Sequence, residues 1–295
     1  MTSLLCAMMA LLLFAPVQLP TTRTPQQAVD ELLAADRAFA AAAAQTTVIP
    51  GLTPMFASDV IMPLPTGKLA HGVAEVVEGL KAVPDNAAGR LEWVPIRGGI
   101  SGDGQHGFTF GFMTLHKADG SVAPLKYMTY WVKGAGGWRA VAFKRGRRPE
   151  GLVGTTLMSP SLPATLVAPT AVSDATRQEL VAAEKAFSDD AQQIGLGPAF
   201  AKFGWPDAVN FGGPASPNYV VGNDAIAKLV DGGQGGPSPV SWSCDTAIVA
   251  SSGDLGVSIG FIRPNAPGPD GKAAPGSPFF TIWRKVNGVW KYIAE

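Results

Sequence analysis

Residues 31–39 read ELLAADRAF, and 148 positions later residues 179–187 read ELVAAEKAF. Working outward, the correspondence holds. Leu91-Glu92-Trp93 is answered by Val240-Ser241-Trp242, Ser101-Gly102-Asp103 by Ser252-Gly253-Asp254, and GFTFGF at 107–112 by GVSIGF at 256–261. Thr129, Trp131 and Trp138 return as Thr281, Trp283 and Trp290, 152 positions on. An offset that drifts by a few residues is what loop insertions leave in a duplicated domain. The chain therefore divides into a first unit at 25–148 and a second at 174–295. Between them 149–173 reads as a linker, since Gly151–Val172 carries no charged residue and three prolines.

Within each unit the periodicity changes once. Val29, Leu32, Leu33 and Phe39 recur at helical spacing through the alanine-rich Pro25–Gln45, and Val73, Val76, Val77 and Leu80 do so in Gly72–Leu80. A short helix is expected near Leu52–Phe56 and a first strand at Asp59–Met62. Strands follow at Leu91–Ile100, Gly107–Lys117, Leu125–Lys133 and Trp138–Arg145. The second unit repeats the order with helices Thr176–Gln193, Pro198–Phe203 and Asp224–Val230. Its strands are Ala208–Phe211, Ser238–Ser251, Gly256–Pro264, Phe279–Lys285 and Val289–Ala294. Helices first and strands after predict an α+β class: two cones, each with N-terminal helices packed on a curved antiparallel sheet.

Composition narrows the function. Of 295 residues, 46% are hydrophobic and 16% charged, enough apolar material for two cores. Lys plus Arg and Asp plus Glu balance at 23 each, which argues against a nucleic-acid partner, whose footprint is a basic surface. Leu4–Val17 is almost wholly apolar, the length of a signal-peptide core and too short for a comfortable membrane span. Residues 1–24 therefore read as signal peptide and linker, and the expected location is secreted or periplasmic. A retained N-terminal anchor is the alternative; after cleavage no stable membrane span is expected. Cleavage would remove Cys6 and leave Cys244 alone, in an alternating strand pattern that suits a buried, inert thiol.

Two motif matches fail on context. Gly102–Gly107 satisfies G-x-G-x-x-G, but a strand follows where a dinucleotide site needs a helix, so these are turn glycines. Gly256–Gly260 satisfies G-x-S-x-G, but His71, His106 and His116 all precede Ser258, which reads as a strand serine. No metal-ligand spacing occurs, and neither a metal nor a cofactor is expected. The basic run Lys144-Arg145-Gly146-Arg147-Arg148 reads as a solvated strand end.

The opening helix with Phe39 and Phe187, SGDLGVSIG at 252–260 and the closing TIWRKVNGVWKYIAE at 281–295 resemble the NTF2-like (cystatin-like cone) superfamily, in its SnoaL-like or DUF4440-type branch. The first unit keeps Thr129, Trp131, Gly137 and Trp138 of the same closing hairpin. The resemblance covers nearly the whole of each unit. It implies a pocket between helices and sheet, on a scaffold that hosts isomerases, cyclases, dehydratases and plain binders. Proton-moving members pair a carboxylate base with hydrogen-bond donors.

On that pattern Asp59 as base and Tyr127 or Tyr130 as donor are the catalytic candidates, in the first unit only. The second unit has Phe279 and Ile282 at the tyrosine positions and Ser241 at that of Glu92, so no carboxylate–tyrosine set is shared. Glu92, Trp93, Trp131, Trp242 and Trp283 are the candidates for lining a ligand pocket. Alternate strand aromatics such as Phe108, Phe110 and Phe112 also suit a core or a sheet-to-sheet interface. The expected function is binding of a small apolar molecule in a cone pocket, without catalysis. The alternatives are an acid–base enzyme active in the first unit, and a structural or protein-interaction module with filled cavities. Domains of this superfamily often pair through their sheets, so the two units are expected to form an intrachain pseudo-dimer.

Overall fold

The computed structural model describes residues 23–213, 215–233 and 235–295; the Leu4–Val17 run and Cys6 lie outside them. The first unit opens with α1 (Pro25–Ala43), α2 (Val48–Leu52), a 3-10 turn at Thr53–Met55, β1 (Phe56–Pro63), β2 (Leu69–His71), α3 (Gly72–Lys81) and α4 (Asp85–Ala88). Four long strands complete it: β3 (Arg90–Ile100), β4 (His106–His116), β5 (Val122–Gly134) and β6 (Gly137–Arg147). The second unit runs α5 (Asp174–Ile194), α6 (Leu196–Phe203), β7 (Gly204–Asn210), β8 (Val220–Val221) and α7 (Asn223–Asp231). It ends with β9 (Val240–Val249), β10 (Leu255–Pro264), β11 (Ser277–Val286) and β12 (Val289–Ala294).

The α+β class holds, with helices on one face of each sheet. The expected short helix lies earlier than predicted, at Val48–Leu52, and the chain then tightens into the 3-10 turn at Thr53–Met55, with Thr53 still in the right-handed helical region and Pro54 in the first positions of the turn. The elements β2, α4 and β8 are additions of two to four residues, too short for periodicity to register. α1 begins in a capping box, in which Gln27 N donates to Thr24 Oγ1 and Thr24 N to Gln27 Oε1.

Each sheet has six strands, ordered β2-β1-β6-β5-β4-β3 and β8-β7-β12-β11-β10-β9. The sheets are mixed rather than wholly antiparallel as expected, since β1 runs parallel to β6 and β7 parallel to β12. These partners lie at opposite ends of their units, and such distant pairing leaves no local sequence pattern. Curvature is set at Gly111 and Gly260. A Cβ at either would collide with a carbonyl of the neighbouring strand, Val94 O or Ser243 O, beside a register slip in each sheet.

Both faces of each sheet are covered. One side carries its own helices, over cores that include Leu32, Leu52 and Trp131 in the first unit and Leu180, Phe187 and Trp283 in the second. On the other side Phe108, Phe110, Met128 and Tyr130 meet Leu255, Val257, Ile259 and Ile282 in a single apolar layer. Polar clasps border this layer. Asp103 Oδ2 accepts from Ser251 N and Oγ (both 2.7 Å), and Asp254 Oδ1 accepts from Gly102 N (2.9 Å). Arg97 donates to the carbonyl (2.8 Å) and the carboxylate of Asp207. Lys126 donates to the carbonyls of Phe211, Ser216 and Asn218. The segment 149–173 runs beside β3, with Ser161 N donating to Gly98 O (3.0 Å) and Ile100 N to Ser161 O (3.1 Å). No helix among the described residues is long and apolar enough to cross a membrane.

Candidate functional site

The buried stripe of α1 runs through Val29, Leu32, Leu33, Ala40 and Ala43, and Asp36 falls within it, fully buried. At the same point of the repeat, Glu184 is buried in α5 among Leu180, Phe187 and Ala191. Trp93 of β3 donates its indole N–H to Asp36 Oδ1 (2.7 Å), and Tyr127 of β5 its hydroxyl to Oδ2 (2.8 Å). In the second unit Trp242 of β9 donates to Glu184 Oε1 (2.6 Å), while Trp283 of β11 (3.1 Å) and Ser258 of β10 donate to Oε2. Burial pushes both carboxyls up, Glu184 to about 7, against the pull of these donors. The two units therefore share a carboxylate–indole set that the sequence reading did not name, while a tyrosine reaches the acid in the first unit only. Its sequence signal is an acid four residues after Leu32 and Leu180, on the apolar stripe in both copies.

The residues named from sequence are placed as follows. Trp93, Trp242 and Trp283 hold the two acids. Trp131 is buried, stacked on Phe39 with ring centroids 5.8 Å apart, and donates to Thr109 Oγ1 (2.9 Å). Tyr127 and Tyr130 are an odd number of positions apart on β5 and so occupy opposite faces. Tyr127 lies in the helix-side core and Tyr130 in the layer between the sheets, its hydroxyl 3.2 Å from His106 Nδ1. Asp59 is exposed on β1, and among the described residues no hydrogen bond joins it to either tyrosine. Glu92 is also exposed, 3.2 Å from His116 Nε2. Asp59 and the two tyrosines are not brought together. Cys244 is half-buried, and burial pushes its thiol up to about 11. The basic run is not a uniformly solvated strand end. Arg147 is exposed, but Arg145 donates to Asn86 Oδ1 (2.7 Å) and Lys144 reaches into the second unit.

Room for a ligand lies in the second cone. A cavity of about 320 Å³ is walled by Phe187, Phe200, Trp242 and Phe279, with Glu184 on one side and Asn210, Glu295 and Lys144 as further polar groups. Strand register explains the space. Phe279 pairs with Gly260 as Tyr127 does with Gly111, so the second unit lacks the hydroxyl that reaches the acid in the first. Ala294 pairs with Val209 as Ala142 does with Ile61, so Glu295 stands where the first unit has the buried Phe143. Burial pushes Glu295 up to about 7, while Lys144 and a hydrogen bond from Asn210 oppose the shift. Burial draws Lys144 down to about 8 against the attraction of Glu295. Neither group stood out in the sequence, because each acquires its role from packing across the two units. Among the described residues no group of three or more His, Cys, Asp or Glu side chains is placed to hold a metal ion.

Several solved structures are similar to part of this chain. A ketosteroid isomerase-like protein from Erwinia carotovora atroseptica is 20% identical, with 41% of this chain and 99% of that one covered and a TM-score of 0.32. An NTF2-like protein with a cystatin-like fold from Novosphingobium aromaticivorans is 14% identical, covering 39% and 79%, at a TM-score of 0.32. A protein of unknown function with a cystatin-like fold from Nostoc punctiforme is 18% identical, covering 41% and 92%, at a TM-score of 0.33. The sequence matches no family model and no curated protein. The likeness is one of fold and brings no activity with it.

Proposed function

We propose that this is an exported tandem protein of the NTF2-like type, in its SnoaL-like or DUF4440-type branch, whose second unit binds a small, mostly apolar molecule rather than transforming it. The observation that carries this reading is the cavity of about 320 Å³ in the second cone, lined mainly by aromatic and aliphatic side chains. Small-molecule sites begin at about that size. What both units share, a helix carboxylate held by tryptophan, serves the fold. What the second unit alone has, Phe279 and Glu295 in place of Tyr127 and Phe143, serves a ligand. Both oxygens of Glu184 already accept from Trp242, Trp283 and Ser258, which favours a structural role over proton abstraction. The apolar layer between the sheets supports reading the units as an intrachain pseudo-dimer in which the first braces the second. Export is supported by the Leu4–Val17 run.

The test is calorimetric titration of the purified full chain with 2-naphthol, a probe with an apolar body and one hydroxyl. Saturable binding is expected, and Val230→Trp, which fills the cavity from α7, abolishes it. No binding, or binding indifferent to Val230→Trp, overturns the reading. Export predicts that protein recovered outside the cytoplasm of its native host begins beyond Val17 by N-terminal sequencing; an intact Met1 there would refute cleavage.

A further inference from the structure

Lys144 belongs to β6 of the first unit, yet its side chain lines the cavity of the second. It arrives where the pairing of β11 with β12 stops, past Ile282↔Ala294. Among the described residues its ammonium makes one hydrogen bond, to Phe280 O at 3.3 Å, and lies 4.6 and 4.7 Å from the ring centroids of Phe211 and Phe280. An ammonium carries three donors, and a partly stripped one beside an apolar cavity is a seat for an anion. Glu295 shares that end of the cavity. Asn210 holds it in place: its Nδ2 donates to Glu295 Oε1 while its Oδ1 accepts from Gly212 N (2.6 Å).

We propose that Lys144 of the first unit, with Glu295 and Asn210 of the second, receives the carboxylate of a small amphipathic acid whose apolar body lies against Phe187, Phe200 and Trp242. This rests on the second cone being a ligand site and names the chemical class it takes. One ammonium suits a monocarboxylate; a phosphate dianion calls for more donors, and a cationic ligand meets Lys144 as a like charge. The incoming carboxylate is a like charge to Glu295 as well. Glu295 therefore takes up one proton from solvent as the acid binds, and its O–H then donates to the ligand. The groups facing Glu295 are Lys144 from β6, Glu184 from α5 and Tyr292 from β12. Glu184 favours the protonated form, Lys144 opposes it, and burial keeps Tyr292 neutral. Affinity for the acid accordingly falls as pH rises through about 7.

The experiment compares 2-naphthoate, 2-naphthol and 2-naphthylmethylammonium on the full chain by calorimetry at pH 6 and pH 8.5. The expected result is 2-naphthoate binding about tenfold tighter than 2-naphthol at the lower pH, with most of that advantage gone at the higher. Lys144→Met removes the preference for 2-naphthoate over 2-naphthol, since the charged contact is lost. Glu295→Gln keeps the preference at pH 6 and makes its fall with pH start higher, since only the loss of charge at Lys144, drawn down to about 8, then remains. A preference that is absent at pH 6, that survives Lys144→Met, or that goes to the ammonium compound overturns the proposal while leaving the cavity a ligand site. Failure of all three compounds to bind overturns both.

Discussion

Asp36 accepts from Trp93 at 2.7 Å and Glu184 from Trp242 at 2.6 Å, and the two acid–indole pairs are equivalent in the repeat, helix position for helix position and strand for strand. Each ties the long first helix to the far strand of its sheet across the interior of a cone. A buried carboxylate is tolerable there because its oxygens accept from two or three donors, which offset much of its desolvation.

Removing the acid leaves those donors stranded. Asp36→Ala strips partners from the Trp93 indole and the Tyr127 hydroxyl, both buried, and destabilises the chain by about 2–4 kcal/mol in urea unfolding. Asp36→Asn, which retains one acceptor oxygen, costs less than half of that. Equal stability of Asp36→Ala and the parent chain would show that the pair does not hold the helix.

The raised carboxyls set a pH dependence. Glu184 and Glu295 titrate near 7 when folded, above their ordinary 4.5, so between those values the folded state binds more protons than the unfolded state. The contribution of these two groups is full below about pH 4.5, falls as pH rises, and is gone above about 7, with Glu184 contributing on the order of 3 kcal/mol. Lys144 and Lys126, drawn down to about 8 from 10.5, act in the opposite sense, and stability recovers above pH 8. Denaturation midpoints across pH 4–10 trace this valley, and Glu184→Gln makes its acid side shallower.

The interface clasps are unequal. Asp254 also accepts from Arg284 Nη1 (3.0 Å), a buried guanidinium that loses its carboxylate in Asp254→Ala. Asp103 serves mainly backbone and hydroxyl donors around Ser251. Asp254→Ala is therefore expected to destabilise by about 3 kcal/mol and Asp103→Ala by about half of that. Calorimetry reads the difference; a larger loss from Asp103→Ala would mean the guanidinium is held by Ile100 O and Ser161 instead.

The cavity depends on Phe279 not being tyrosine. Phe279→Tyr places a hydroxyl where Tyr127 has one in the first unit, within reach of Glu184 by the same register. It is expected to weaken 2-naphthol binding about tenfold, because filling a pocket removes ligand contacts, with a small rise in melting temperature. Unchanged binding would place the ligand elsewhere.

Much of this protein is written locally. The apolar stripes of α1 and α5 and the alternation along β3–β6 and β9–β12 depend on residues a few positions apart, so spacing reveals them, and the duplication from ELLAADRAF to ELVAAEKAF shows as a direct match of one segment with another. Asp36 and Glu184 were legible in the same way, as acids on a buried stripe. The parallel pairing of β1 with β6, the burial of Lys144 and the encounter of Lys144 with Glu295 were not. The first joins strands from opposite ends of one unit within a single sheet; the other two arise only when two sheets pack face to face and bring together residues 151 positions apart, and no local pattern encodes either. Position in sequence made Lys144 part of a basic run at a strand end; the tertiary structure made it a desolvated cation in another unit's cavity, because the cost of burying its charge is borne by packing that only the folded chain supplies.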